Sequence, residues 1–234
     1  TMSMAIIPMI SLTTKAELIV LASPQSEDTY YAKMVDDIFD FHINYAKQII
    51  KNGDKVLILT DKYLYPDYVK AIGQNHVVIA PMQDIWMRDF SSANPDQPTL
   101  FRYTAAGQGG TKKAQAISDD VQSDFKLYSQ KAGLKFIQTQ LLNDGGNWVE
   151  DGFGNVVIST KFLSDNRLSE KVAREKLIAL TNAKHIAFID ADEQGSLEHD
   201  DGVVSFVDQN TLVMKTYPED PDYTKKLNAD LIRG

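Results

Sequence analysis

"LNDGGNWVEDGFGNVVIST", residues 142–160, decides how the rest of the chain is read. Gly145 and Gly146 follow Asp144, and Gly152 and Gly154 precede the apolar run Val156 to Thr160. Paired glycines let a backbone bend sharply, so Asp144 and Asn147 are brought close together in a turn. The apolar run that follows reads as a strand. Farther on, Leu168 to Asn182 reads as a helix and His185 to Ile189 as another strand. Turn, strand, helix and strand in succession make an α/β chain. An Asp–Gly turn between strands is ordinary by itself, so a chemical role for Asp144 and Asn147 needs partners elsewhere.

The same alternation continues upstream and downstream. Ala16 to Ser23 and Lys55 to Thr60 read as strands, with a helix over Asp28 to Lys51 between them. Tyr31, Val35, Ile38, Tyr45 and Ile49 fall on one face of that helix, and Asn52-Gly53 ends it. Pro66 to Ile72 is a short helix, and His76 to Ala80 and Thr99 to Tyr103 are strands. "TAAGQGGTKK", residues 104–113, is a loop, Ala114 to Ala132 a helix, and Leu134 to Gln140 a strand. Val203 to Val207 and Thr211 to Lys215 form a hairpin, and the last helix begins near Asp222. The spacing predicts strand–strand–helix–strand units of about 45 to 60 residues. No linker or low-complexity tract breaks residues 16–234, which read as one domain. Residues 1–15 read as a tail, and Thr-Met-Ser-Met at its start as a cloning remnant. The chain stops on a helix, so its last αβ unit is expected to be half built.

The 234 residues are 43% hydrophobic and carry a formal net charge of −8. That balance argues against a nucleic-acid partner, which needs a surplus of Lys and Arg. No apolar run reaches the ~20 residues of a membrane span, so no membrane partner is expected. There is no cysteine, which removes disulfides, thiolate metal sites and a cysteine nucleophile from these residues.

Two more polar clusters stand out. Asp84, Trp86, Arg88 and Asp89 lie within "QDIWMRDFSS", residues 83–92. A carboxylate beside an aromatic face suits a planar cation, because the carboxylate accepts paired N–H bonds and the ring attracts the charge. The plainer alternative is a local Asp84–Arg88 ion pair with Trp86 in the core. Glu198-His199-Asp200-Asp201 is the other cluster. In an extended segment His199 and Asp201 point to one side, where a histidine moves protons and a carboxylate grips substrate. An exposed acidic loop and a metal site of His199, Asp200 and Asp201 are the alternatives. His42 reads as a core histidine, and His76 and His185 as strand starts.

Taken together, the three clusters resemble the agmatine deiminase and bacterial peptidylarginine deiminase family. That family has Asp–x–Trp–x–Arg–Asp, then Glu–Gly–Gly–x, then His–x–Asp. Here the segments read Asp84-Ile85-Trp86-Met87-Arg88-Asp89, Asp144-Gly145-Gly146-Asn147 and His199-Asp200-Asp201. "DGFGNVVIST", "FVDQNTLVM" and "YPEDPDY" resemble the family's flanks, and the likeness covers roughly residues 16–234. It implies the pentein propeller of strand–strand–helix–strand units, here a partial propeller of a little over three. It also implies that Asp89 and Asp201 grip a guanidinium and that Asp144 orients His199, the general acid and base. Asn147 would line the same pocket, and Asp84, Trp86 and Arg88 would complete the substrate site. The implied reaction converts agmatine to N-carbamoylputrescine and ammonia through a covalent cysteine intermediate. No cofactor or metal is implied, the partner is a small cationic guanidine, and a homodimer and a cytoplasmic location are expected.

Three departures bear on this expectation. The family's cysteine lies in its C-terminal part, and the chain ends about where that part should begin. The 234 residues alone are therefore expected to be inactive, either as a piece of a longer deiminase or as a guanidinium-binding protein that has lost its nucleophile. Asp144 stands where the family has Glu, one methylene shorter. Glu198 replaces the usual Gly before the histidine, and "RDFSS" lacks the family's Gly-Pro. Peptidylarginine and free arginine stay open as alternative substrates, and an acidic α/β protein without such a site as a third reading.

Overall fold

A computed structural model describes residues 16–92, 94, 97–106, 111–190 and 197–234. The expected tail over residues 1–15, and residues 107–110 of the loop over 104–113, fall outside them. The chain divides into two compact units, one ending at Ile79 and one beginning at Ala80. The division follows directly on a strand, with no change of composition to mark it.

In the first unit, β1 (Leu18–Ala22), β2 (Lys55–Thr60) and β3 (Val77–Ile79) form a parallel sheet in the order β1-β2-β3. Ile58 of β2 stands opposite Leu21 on one side and Val77 on the other. A central parallel strand is covered on both faces, which is why "KVLILT" is a nearly unbroken apolar run. α1 (Val35–Lys51) and α2 (Tyr65–Ile72) supply the crossovers. α1 starts later than Asp28, because the Asp28 carboxylate accepts the Tyr30 amide at 2.7 Å and holds a turn there. Its buried face is His42, Ile43, Ala46 and Ile49, while Tyr45, expected in the core, is 42% exposed. α1 carries two apolar stripes, and only one meets the sheet. His42 is the core histidine expected: its ring lies 3.0 Å from the Tyr68 hydroxyl, and burial lowers its pKa to about 4.

The second unit opens on a short helix, α3 (Met87–Phe90), which was not foreseen. β4 (Thr99–Arg102) pairs in parallel with β5 (Ile137–Leu142) across α4 (Lys112–Lys131). The Thr111 hydroxyl caps α4 by accepting the Ala114 amide at 3.1 Å. β5 begins later than Leu134, whose amide still bonds back to Ser129 as the chain turns out of α4 at Gly133, φ +71°.

β6 (Val149–Glu150), β7 (Asn155–Ser159) and β8 (His185–Ile189) form a three-stranded sheet, β6-β7 antiparallel and β7-β8 parallel. α5 (Lys161–Asn166) and α6 (Glu170–Thr181) lie between β7 and β8. This is the expected strand–strand–helix–strand order. β9 (Val204–Asp208), β10 (Thr211–Met214) and α7 (Pro221–Arg233) repeat its first three elements. Side chains alternate across β7 and β8. Val156, Ile158, Ile186 and Phe188 pack with Phe162 and Leu177 on one face. Val157, Ala187 and Ile189 pack with Tyr217 and Leu227 on the other. Both faces of β7 and β8 are thus closed, and the turn that enters the sheet is held firmly.

Candidate active site

Three loops of the second unit meet at one residue, Gly146. Its N–H donates to Asp89 Oδ1 at 3.0 Å. Its carbonyl accepts the amides of Asp200 and Asp201, each at 3.1 Å. The two glycines allow this approach. A Cβ on Gly145 would fall 1.7 Å from the Arg88 carbonyl oxygen, and one on Gly146 would fall 2.3 Å from His199 Nδ1. Neither position has room for a side chain, so here glycine serves close contact rather than an unusual φ.

The side chains converge on His199. Nε2 donates to Asp144 Oδ2 at 3.2 Å, and Nδ1 lies 3.9 Å from Asp89 Oδ1. Asp144 is 2% exposed and is fixed from behind by Thr104. The Thr104 amide reaches Oδ1 and its hydroxyl reaches Oδ2, both at 2.9 Å. Burial lowers the His199 pKa, but the Asp144 hydrogen bond and the charges of Asp89, Asp144 and Asp201 outweigh it, and the net shift is upward from 6.5. Asp89 is pushed up to about 6, first by burial and then by Asp144 and Asp201, against the pull of His199 and the Gly146 amide. The site therefore pairs a histidine that favours its proton with a carboxylate that shares one near neutral pH. Such divergent environments are what proton transfer and cation capture need.

Arg88 Nη2 donates to the carbonyl of buried Trp148 at 2.7 Å, and its Nε lies 3.3 Å from Asp201 Oδ2. The ion pair of Arg88 with Asp201 spans two clusters where a local Asp84 pairing had been an alternative. Trp86 is 61% exposed, outside the core. Asp84 Oδ1 accepts the Ile85 amide at 2.7 Å. Asn147 is buried, and its amide is committed to structure: Oδ1 accepts the Ser159 amide at 2.8 Å and Nδ2 donates to Asn143 Oδ1 at 3.0 Å. The structure thus brings His199, Asp144, Asp89, Asp201 and Arg88 together. Asn147 is placed one step behind them, holding the turn to β7. Among the described residues, no group of three or more His, Asp or Glu side chains is placed to hold a metal ion.

Two neighbours were not foreseen. Thr104 positions Asp144, and the buried Tyr103 phenol is held neutral by burial and by the charges of Asp144, Asp89 and Asp84. Both sit just after β4: Tyr103 at the end of the expected strand, Thr104 at the start of a segment that reads only as a loop. Asp200 also sits here, fully buried, with neither carboxylate oxygen hydrogen-bonded among the described residues.

Among the described residues, no helix is long and apolar enough to cross a membrane. No curated protein matches the chain. Solved structures do. Agmatine deiminase of C. jejuni is 20% identical, with a TM-score of 0.72, over 94% of this chain and 68% of that one. Agmatine deiminase of Enterococcus faecalis is 15% identical, with a TM-score of 0.68, over 94% of this chain and 64% of that one. The chain thus spans about two thirds of these enzymes' length and shares their fold, the pentein fold expected. The sequence profile of Porphyromonas-type peptidyl-arginine deiminases matches residues 9–231. With nearly its whole length matched, the chain belongs to the Porphyromonas-type peptidyl-arginine deiminase family.

Proposed function

We propose that this chain binds a small guanidinium cation, most fittingly agmatine, and supplies the acid–base half of its hydrolytic deimination. The observation that carries the reading is the joint placement of Asp89, Asp144 and Asp201 around one protonatable histidine. A guanidinium is planar, permanently charged and a fixed fork of donors, so it matches a cluster in which carboxylates outnumber cations. Family membership and the fold shared with agmatine deiminases support the reaction class. A cysteine-to-serine variant of the C. jejuni enzyme has been seen with substrate bound.

In this reading Asp89 and Asp201 hold the guanidinium. A thiolate attacks its central carbon, and protonated His199 gives its proton to the departing nitrogen, which leaves as ammonia. Water then attacks the thiouronium carbon while neutral His199 takes its proton. The thiolate leaves, the remaining water proton passes to the released ammonia as ammonium, and the product is a ureido compound, N-carbamoylputrescine when the substrate is agmatine. Asp144 keeps the imidazole in place through both transfers. The thiolate must come from outside these 234 residues, which contain no cysteine.

The second reading is a guanidinium-binding protein without turnover. Titration calorimetry with agmatine, arginine and a blocked peptidylarginine tests the shared part. Binding of agmatine that disappears in Asp201→Asn is the expected result. No heat with any of the three guanidines would overturn both readings. The two part on the gene: an open reading frame that continues to a cysteine, and whose product releases ammonia from agmatine, selects the deiminase.

A further inference from the structure

The Arg88 side chain joins all three clusters. It belongs to the first, its Nη2 donates to the Trp148 carbonyl beside the second, and its Nε meets Asp201 in the third. We infer that Arg88 is a positioning residue: it holds Asp201 in the orientation that receives a guanidinium, and does not itself touch substrate. The inference rests on the guanidinium-binding reading of Asp201.

Three features support the assignment. The anchor is rigid, because the accepting carbonyl belongs to Trp148, which is 2% exposed. Asp201 Oδ2 lies at ion-pair distance from Arg88, 3.3 Å from Nε, and Asp201 keeps 40% side-chain exposure. The carboxylate is thus oriented by charge yet stays open to a ligand. Finally, a fixed cation repels a cationic ligand, so Arg88 serves poorly as a direct contact and well as a strut. Only an arginine spans both partners at once. Its Nε and Nη2 are fixed relative to each other, and a lysine has one nitrogen on a flexible stem.

Charge and position make opposite predictions, which gives the test. Agmatine titrations are run on the wild-type chain, Arg88→Met and Arg88→Lys, with imidazole NMR titration of His199 on each. A positioning role weakens binding in both variants, by about two- to fivefold, the size expected for losing a half-exposed ion pair. Arg88→Lys is the weaker binder of the two, because it keeps the repulsion without the geometry. Tighter binding by Arg88→Met, with Arg88→Lys like wild type, would overturn the inference, since charge alone would then explain Arg88. If the wild-type chain binds no guanidine, the proposed function fails, and the His199 titration decides the positioning of Asp201 separately. Removing the cation beside Asp201 raises the His199 midpoint in Arg88→Met if the contact persists in solution. An unmoved midpoint shows that it does not and overturns the inference.

Discussion

Gly146→Ala adds one methyl group and should disable the site without touching a charged residue. The new Cβ would lie 2.3 Å from His199 Nδ1, 2.7 Å from Cγ and 2.8 Å from Cε1. Non-bonded heavy atoms settle near ~3.5–4.0 Å, so the imidazole must retreat by about 1 Å. The bond from Nε2 to Asp144 is 3.2 Å and has little slack to absorb that movement. Loss of a hydrogen bond to a charged group costs about 1.5–3 kcal/mol. The cost should depend on pH in a definite direction. The folded-state pKa of His199 is raised above 6.5, so its protonation stabilises the fold fully below that value. That contribution is lost as pH rises through the folded pKa. The stability difference between wild type and Gly146→Ala should therefore be larger at pH 6 than at pH 9, by denaturant unfolding. The His199 NMR midpoint should fall as well, because burial then acts with less opposition. A difference equal at both pH values, together with an unmoved midpoint, would refute the placement of His199 against Gly146 and Asp144.

Three further outcomes follow from the same site. Asp200→Asn should stabilise the protein at pH 8, because a neutral amide replaces a buried carboxyl whose charge has no hydrogen-bond partner among the described residues. Burial, with Asp201 second, holds the Asp200 pKa well above its ordinary value, so its favourable protonated state is fully present at low pH and lost as pH rises. The gain should shrink toward pH 4, and thermal unfolding at both pH values would expose a gain independent of pH as a contradiction. Asp89→Asn should raise thermal stability at pH 7.5, where a carboxylate with a pKa near 6 is forced to ionise, yet weaken agmatine binding at least tenfold. A variant that binds like wild type would remove Asp89 from the cation site. Asp144→Asn should lower the His199 midpoint, since its hydrogen bond and its charge both hold the proton on; NMR titration showing no fall would assign that role elsewhere.

Much of the fold was legible in the residues alone. β2 and β8 run over Lys55–Thr60 and His185–Ile189, as their apolar runs foretold. Strand and helix are chosen locally, by the period of apolar side chains and by the glycines and caps that end each element. Short pieces escaped for the same reason. α3 has four residues and β6 has two, too few for any period to register. His199, Asp144, Asp89 and Asp201 were also legible as candidates, since the order of three polar segments marks them before their geometry is known. The tertiary structure decided who their partners are. Nothing local tells Arg88 to pair with distant Asp201, or turns Ile43 of α1 inward and Tyr45 outward. Thr104 lies in a stretch that reads only as a loop, yet it fixes Asp144. A side chain's identity states which bonds it is able to make. Which bonds it does make depends on what folding carries to within 3 Å of it, and that information is spread along the whole chain.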